Sequence, residues 1–255
     1  MLKGLIKKIE DSGRYFDFVG DVLRGLVRKP FRISLYFAEM EQLGVNSIVV
    51  ILLAGLAIGM IFALQMVTLL QPFQAEIGTG AAVAVALGRE FAPIITTLML
   101  IAKNGSAMAA ELGTMRVTEQ IDALESMSVS PVHYLVLPRV VASVFTFPAL
   151  TVLANVVGVM GAYVISTLLY GIDSASYIDY MFNVLKPKDI YIGLIKSAIM
   201  GFMVSTICCY FGLQASQGAK GVGDSATKAV VASSVSILMA DYVLATFLMV
   251  LFAKR

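Results

Sequence analysis

The chain has 255 residues, of which 58% are hydrophobic and 14% charged, with a formal net charge of +2. Soluble domains carry about 25% charged residues, so this balance excludes an ordinary soluble protein, and the near-neutral charge excludes a nucleic-acid binder. No hydrophilic stretch is long enough to form a second core, so the chain reads as one polytopic, all-α membrane protein.

Leu2, Leu5, Ile6 and Ile9, then Phe16, Val19, Val22, Leu23, Leu26 and Val27, recur at helical spacing with charged residues between them. This predicts an amphipathic helix over residues 2–29, too charged to span and suited to the membrane–water interface. Lys3, Lys7 and Lys8 are followed by an acidic, aromatic stretch rather than an apolar core, which is not the pattern of a cleaved signal peptide. Pro30 is expected to break the helix, and a second short helix over residues 31–43 leads into the bilayer. Residues 1–44 therefore form an N-terminal interfacial unit and residues 45–255 the membrane domain.

Val45 to Ala75 contains no charged residue. About 20 apolar residues cross the hydrocarbon, which places a first span at residues 45–69, with Gly55 and Gly59 as a GxxxG surface for close helix approach. A second span is expected over residues 78–104, interrupted by Arg89 and Glu90. The third falls in residues 140–170, with Pro148 as a kink. A polar loop over residues 173–189 leads to the fourth, residues 190–213, which carries Lys196 and a Gly193, Ser197, Gly201 ladder. A Gly- and Ser-rich loop, residues 214–228, precedes the fifth span, residues 229–252, with Asp241 near its middle. With the N-terminus in the cytoplasm, the inside segments hold eight, three and two basic residues and the outside holds Lys186, Lys188, Lys254 and Arg255. Positive charge favours the inside, so the N-terminus is expected in the cytoplasm and the C-terminus outside.

Arg89, Glu90, Lys196 and Asp241 all fall inside spans. A charge at a helix centre costs about 2.5–3.5 kcal/mol on insertion scales, so such groups seek partners in the bundle interior or a wet cavity. Neighbours on a helix point about 100° apart, so Arg89 and Glu90 cannot both face lipid cheaply. At least one should meet Lys196, Asp241 or a polar headgroup. The network is either a substrate or gating site or a purely structural brace, and the two roles are compatible.

After the second span, Val117, Ile121, Leu124 and Met127 or Ser128 share one face, while Glu119, Asp122 and Glu125 occupy others. This predicts a short cytoplasmic helix over residues 117–128, with Thr114 as a cap and Pro131 ending it. An acidic helix rigidly joined to two spans can fit a groove on a soluble motor domain and transmit a push. A helix that merely lay on the membrane would favour Lys and Arg instead. His133 has no second ligand nearby, so no metal site is expected. The adjacent Cys208 and Cys209 sit in an apolar run and read as buried, unbridged residues. No GxxxxGK[ST] motif is present. Any ATP is then bound by another subunit, and the chain itself is not expected to be an enzyme.

The stretch Leu87-Gly88-Arg89-Glu90-Phe91-Ala92-Pro93, with Gly105-Ser106-Ala107, Ala110-Glu111-Leu112-Gly113, Met115-Arg116-Val117-Thr118-Glu119-Gln120-Ile121-Asp122-Ala123-Leu124 and Leu137-Pro138-Arg139, closely resembles the MlaE/YrbE family. That family supplies the permease subunit of MCE-type ABC transporters. The likeness extends to Gly171-Ile172-Asp173, Leu194-Ile195-Lys196-Ser197 and Asp241. The resemblance implies a homodimer in the inner membrane of a diderm bacterium. It also implies two copies of an MlaF-like ATPase holding ATP and Mg, a periplasmic MlaD-like MCE hexamer and, in many systems, an MlaB-like STAS protein. The implied cargo is phospholipid moved between inner and outer membranes, which keeps the outer leaflet free of phospholipid. The chain itself needs no cofactor.

By the same resemblance, Arg89, Glu90, Phe91, Lys196, Lys228 and Asp241 line or brace the lipid pocket, with Leu64, Met66, Leu69, Leu70 and Phe91 as apolar walls. Lys228 stands where relatives often carry arginine, so charge is kept but bidentate phosphate contact is lost. Residues 117–128 resemble the coupling helix, with Glu111, Arg116, Glu119, Gln120, Asp122 and Glu125 facing the ATPase. Two other readings compete with an ABC permease. One is an ion-coupled transporter with Glu90 and Asp241 as a proton relay. Five spans without an inverted repeat weigh against it. The other is a scaffold that anchors the periplasmic ring without moving lipid.

Overall fold

A computed structural model describes residues 2–26, 33–216 and 218–253, and those residues form helices joined by short turns, with no strand among them. Pro30, expected to break the first helix, lies outside the described residues. Helix α1 spans Leu2–Gly25. Its residue Val22 is buried on an apolar cluster with Leu112, Val136 and Leu137, while Phe16 and Leu23 remain exposed. The Tyr15 hydroxyl meets that of Thr206 at 2.9 Å and ties α1 to the bundle.

Five helical stretches are long and apolar enough to cross a bilayer: Ile33–Phe73, Glu76–Val117, Val132–Leu169, Pro187–Leu213 and Gly218–Leu248. Each starts earlier than the apolar windows suggested, and the first two also end later, because the helices continue into the polar residues that flank those windows. Helix α2 (Ile33–Gly44) passes through a 3-10 turn, Val45–Ser47, directly into α3 (Ile48–Leu70). Asn104 stabilises that junction, donating to the Leu43 carbonyl at 3.0 Å and accepting from the Ser47 hydroxyl at 3.2 Å. Pro72 and a left-handed Gln74, φ 55°, end the first stretch.

The second stretch is α4 (Thr79–Ala86), α5 (Ala92–Leu100) and α6 (Ser106–Val117), joined by π-helical turns at Leu87–Phe91 and Ile101–Gly105. Pro93 lacks an N–H and crowds the carbonyl one turn earlier, which gives the helix a reason to widen at the first π turn. Glu119, φ 62°, then breaks the chain before the short helix α7 (Gln120–Ser126). The cap expected from Thr114 is absent. Its hydroxyl donates to the Ala110 carbonyl inside α6, and the boundary is set by the backbone at Glu119 instead.

Helix α8 (Leu137–Val164) continues through Pro148 and lies at the centre of the bundle. A Cβ on Gly59 would sit 1.9 Å from the Gly158 carbonyl oxygen, and one on Gly55 would sit 2.9 Å from that of Ala154. The α3–α8 seam therefore closes backbone to backbone, as membrane helices without a hydrophobic drive between them require. Two segments expected as loops are helical. In residues 173–189, Asp173 accepts from the Ser176 N–H and caps α9 (Ser174–Val184), whose Tyr177 and Met181 are buried one turn apart. Pro187 then opens α10 (Pro187–Leu213). The glycine-rich run yields only the short link before α11 (Gly218–Ala253): the left-handed turn is made at Gly218, φ 85°, and the residues after it are helical. A Cβ on Gly221 would meet the Ser216 carbonyl at 2.1 Å.

Candidate functional site

The four charged residues that the sequence places inside spans, Arg89, Glu90, Lys196 and Asp241, are all paired. Lys196 on α10 is fully buried and bonds Glu90 of the first π turn. Its Nζ also lies 2.6 Å from Asp241 Oδ1 on α11, an ionic contact without hydrogen-bond alignment. Arg89 donates through Nε and Nη2 to Asp189 Oδ1, at 2.8 and 2.6 Å. Asp189 is itself buried at the start of α10, where its other oxygen accepts from the Lys186 N–H at 3.0 Å.

Asp189 and Lys196 are seven residues apart on α10, two turns along one face. That spacing lets neighbouring Arg89 and Glu90 find separate partners on the same helix. The approach depends on Gly193 between them, where a Cβ would sit 2.0 Å from the Gly88 carbonyl oxygen. Four unpaired charges would cost about 2.5–3.5 kcal/mol each; two ion-paired groups spread over three helices avoid most of that.

Beside these pairs lies a cavity of about 770 Å³, walled by Leu70, Ile77, Ala81, Val85, Tyr180 and Val184, with Arg89 and Glu90 as its charged groups. This volume falls within the roughly 300–1,000 Å³ range of small-ligand pockets. Of the residues anticipated as pocket-forming, Leu70, Arg89 and Glu90 line it. Lys196 and Asp241 are buried behind it and brace Glu90. Phe91 and Met66 pack in an adjoining apolar cluster, where the Phe62 and Phe91 rings lie 4.3 Å apart. Leu64 and Leu69 point outward and are exposed, and Lys228 lines a different cavity. Asp189 escaped the sequence reading because it falls in a segment taken for a loop. The signals that would have found it are an acid in the first turn after Pro187 and its seven-residue spacing to Lys196.

At the other end of the second stretch, the residues anticipated for coupling divide in two. Glu111 pairs at 2.8 Å with Arg139, a nearly buried cation that also lies 3.5 Å from Glu39 on α2. Glu111 thus binds α6 to α8. Arg116 reaches across the Glu119 break to Asp122 at 2.6 Å and fixes the angle of α7. Gln120 donates to the Thr118 hydroxyl, while Glu119 and Glu125 are exposed. Among the described residues, no group of three His, Cys, Asp or Glu is placed to hold a metal ion. Cys208 and Cys209 are free and buried.

This is a multi-pass helical membrane protein in which an apolar cavity is braced by ion pairs buried between spans. Residues 36–247 match the family described as Permease MlaE. The chain belongs to that family. A probable ABC transporter permease protein of Rickettsia felis is 37% identical over 242 residues, covering 95% of this chain and 93% of the relative. The intermembrane phospholipid transport system permease protein MlaE of Haemophilus influenzae is 34% identical over 248 residues, 95% of each chain. The chloroplastic protein TRIGALACTOSYLDIACYLGLYCEROL 1 of Arabidopsis thaliana is 40% identical over 209 residues, 82% of this chain and 60% of that protein.

Proposed function

We propose that this chain is the permease subunit of an ABC transporter that carries phospholipid between the inner and outer membranes and so maintains outer-membrane asymmetry. The observation that carries this reading is the position of the Arg89 and Glu90 pairs: they form the polar part of an otherwise apolar cavity and belong to the helical stretch that leads, across the turn at Glu119, into α7. Acyl chains occupy the apolar wall, and the headgroup meets Arg89. Two copies of the chain enclose the full passage, with Leu64 and Leu69 facing the partner copy. ATP and Mg are held by an MlaF-like ATPase, on which α7 docks. An MCE hexamer receives or delivers lipid on the periplasmic side, and a STAS protein attends the ATPase. The N-terminus and α7 lie in the cytoplasm, with α1 in the interface; α9, the cavity mouth and the C-terminus face the periplasm.

ATP-driven closure of the ATPases displaces α7. Arg116 and Asp122 hold α7 to α6, and Glu111 with Arg139 holds α6 to α8, so the displacement tilts the spans and narrows the cavity. The test is co-reconstitution of the chain with its ATPase in lipid vesicles, following phospholipid transfer and ATP hydrolysis together. Glu119 is the cleanest probe, being exposed and outside the Arg116–Asp122 pair. Glu119→Lys is expected to leave basal hydrolysis by the ATPase measurable while lowering transfer about tenfold or more. Transfer that proceeds in a pH gradient without ATP would instead favour the ion-coupled reading.

A further inference from the structure

A second cavity, of about 600 Å³, lies between α1, α10 and α11. It is at the α7 end of the bundle, since Gly113 of α6 abuts Ala215 and Val222 beside it. The Arg89 cavity, next to α9 and the end of α3, lies toward the opposite end. One wall is a single stripe of α11, with Ser225, Lys228 and Ser236 on it; the other is made by Tyr15, Phe16 and Phe211. Among the described residues, no carboxylate lines it. Lys228 has no ion pair among the described residues, although Asp224 stands one turn before it on α11. The Tyr15 hydroxyl is engaged by Thr206, so α1 is anchored as a wall. Phe16 beside it is 71% exposed, an apolar group turned outward at the rim.

This arrangement matches one chemistry. A cation and hydroxyls at one side, and aromatic and aliphatic surface at the other, complement an amphiphile with an anionic phosphate head. The surface of a cytoplasmic leaflet is rich in such lipids, and an amphipathic helix forming one wall lies at headgroup depth. We infer that this cavity is a resident site for an anionic phospholipid, separate from the cargo cavity, with its phosphate on Lys228 and Ser225 and its acyl chain against Phe16 and Phe211. The bound lipid fills the wedge under α1 and fastens that helix to α10 and α11. The site departs from the sequence expectation that Lys228 serves the same pocket as Arg89.

Native mass spectrometry of the full-length chain, delipidated in detergent and titrated with phosphatidylglycerol, phosphatidylethanolamine or inorganic phosphate, tests this. The wild type should bind one more phosphatidylglycerol than Lys228→Ala, whose affinity for that lipid should fall about fivefold, the worth of one lysine near an anionic surface. Lys228→Arg should restore it, Arg89→Ala should leave it in place, and phosphatidylethanolamine should bind the site more weakly. Ala232→Trp fills the apolar side with Lys228 intact and should also displace the lipid, which covers the case in which Lys228→Ala does not fold. Phosphatidylglycerol binding that is indifferent to both substitutions, or lost equally in Arg89→Ala, overturns the site. Full competition by inorganic phosphate at equal concentration overturns the lipid as its occupant. None of these outcomes depends on whether the chain transports phospholipid.

Discussion

Lys196 is the residue on which the paired charges turn. It is fully buried between two carboxylates, Glu90 and Asp241, so removing it strands both, whereas removing either acid leaves the other pair standing. Breaking a buried pair by deleting one partner costs about 3–5 kcal/mol. The Glu90 side chain is 37% exposed, which places the penalty at the lower end. Lys196→Met is therefore expected to lower the thermal midpoint of the detergent-purified protein most, Asp241→Asn less, and the pair Lys196→Met with Asp241→Asn less than Lys196→Met alone. A melting curve for Lys196→Met that overlays the wild type would show that the three charges are not coupled. Sequence alone carried the need for pairing, since four ionisable groups in apolar runs must find partners. It did not carry the choice of partners, because Arg89 goes to Asp189, whose place in a helical first turn is visible only once α10 is known to begin at Pro187.

At the scale of elements, glycine decides how near the helices come. Gly193 lets α10 touch the π turn at Gly88, and that contact holds Asp189 and Lys196 within reach of Arg89 and Glu90. Forcing a methyl into a packed site costs about 1–3 kcal/mol. Gly193→Ala should push the two helices apart and reduce phospholipid transfer several-fold, while Gly105→Ala, whose Cβ would meet side chains alone, the nearest being the Cys208 sulfur at 3.0 Å, should be milder. In the same way Gly59→Ala should destabilise more than Gly55→Ala, because its Cβ has 1.9 Å rather than 2.9 Å to the opposing backbone. Thermal unfolding orders the four variants, and equal midpoints would refute the role of backbone contact. The GxxxG seam was legible from spacing, and so were the five apolar stretches. The helix α9 was not, because its signal is one capping aspartate and two buried side chains that a polar average conceals. The start of α11 was hidden because glycine was read as a loop former throughout the run, whereas only Gly218 takes the left-handed turn and Gly221, close against the Ser216 carbonyl, already lies in the helix.

For the molecule as a whole, the two cavities and the two charge clusters sort to opposite ends of the bundle, and the proposed mechanism requires that those ends face different compartments. The ATPase can reach α7 only from the cytoplasm, so α9 and the mouth of the Arg89 cavity must open to the other side. The distribution of lysine and arginine points the same way. Both native cysteines are buried in the bundle, so labelling can be read from introduced cysteines against a low background. Ser176 on α9 and Ser126 at the end of α7 are both exposed. Ser176→Cys should react with a membrane-impermeant maleimide added from the periplasmic side, and Ser126→Cys only after the inner membrane is opened. The reverse pattern would put α7 out of reach of any cytoplasmic ATPase and overturn the coupling role. It would leave the paired network intact as a brace. Labelling of both sites from one side would mean an even number of crossings between them, whereas α8 with its π turns provides the one apolar stretch that separates them.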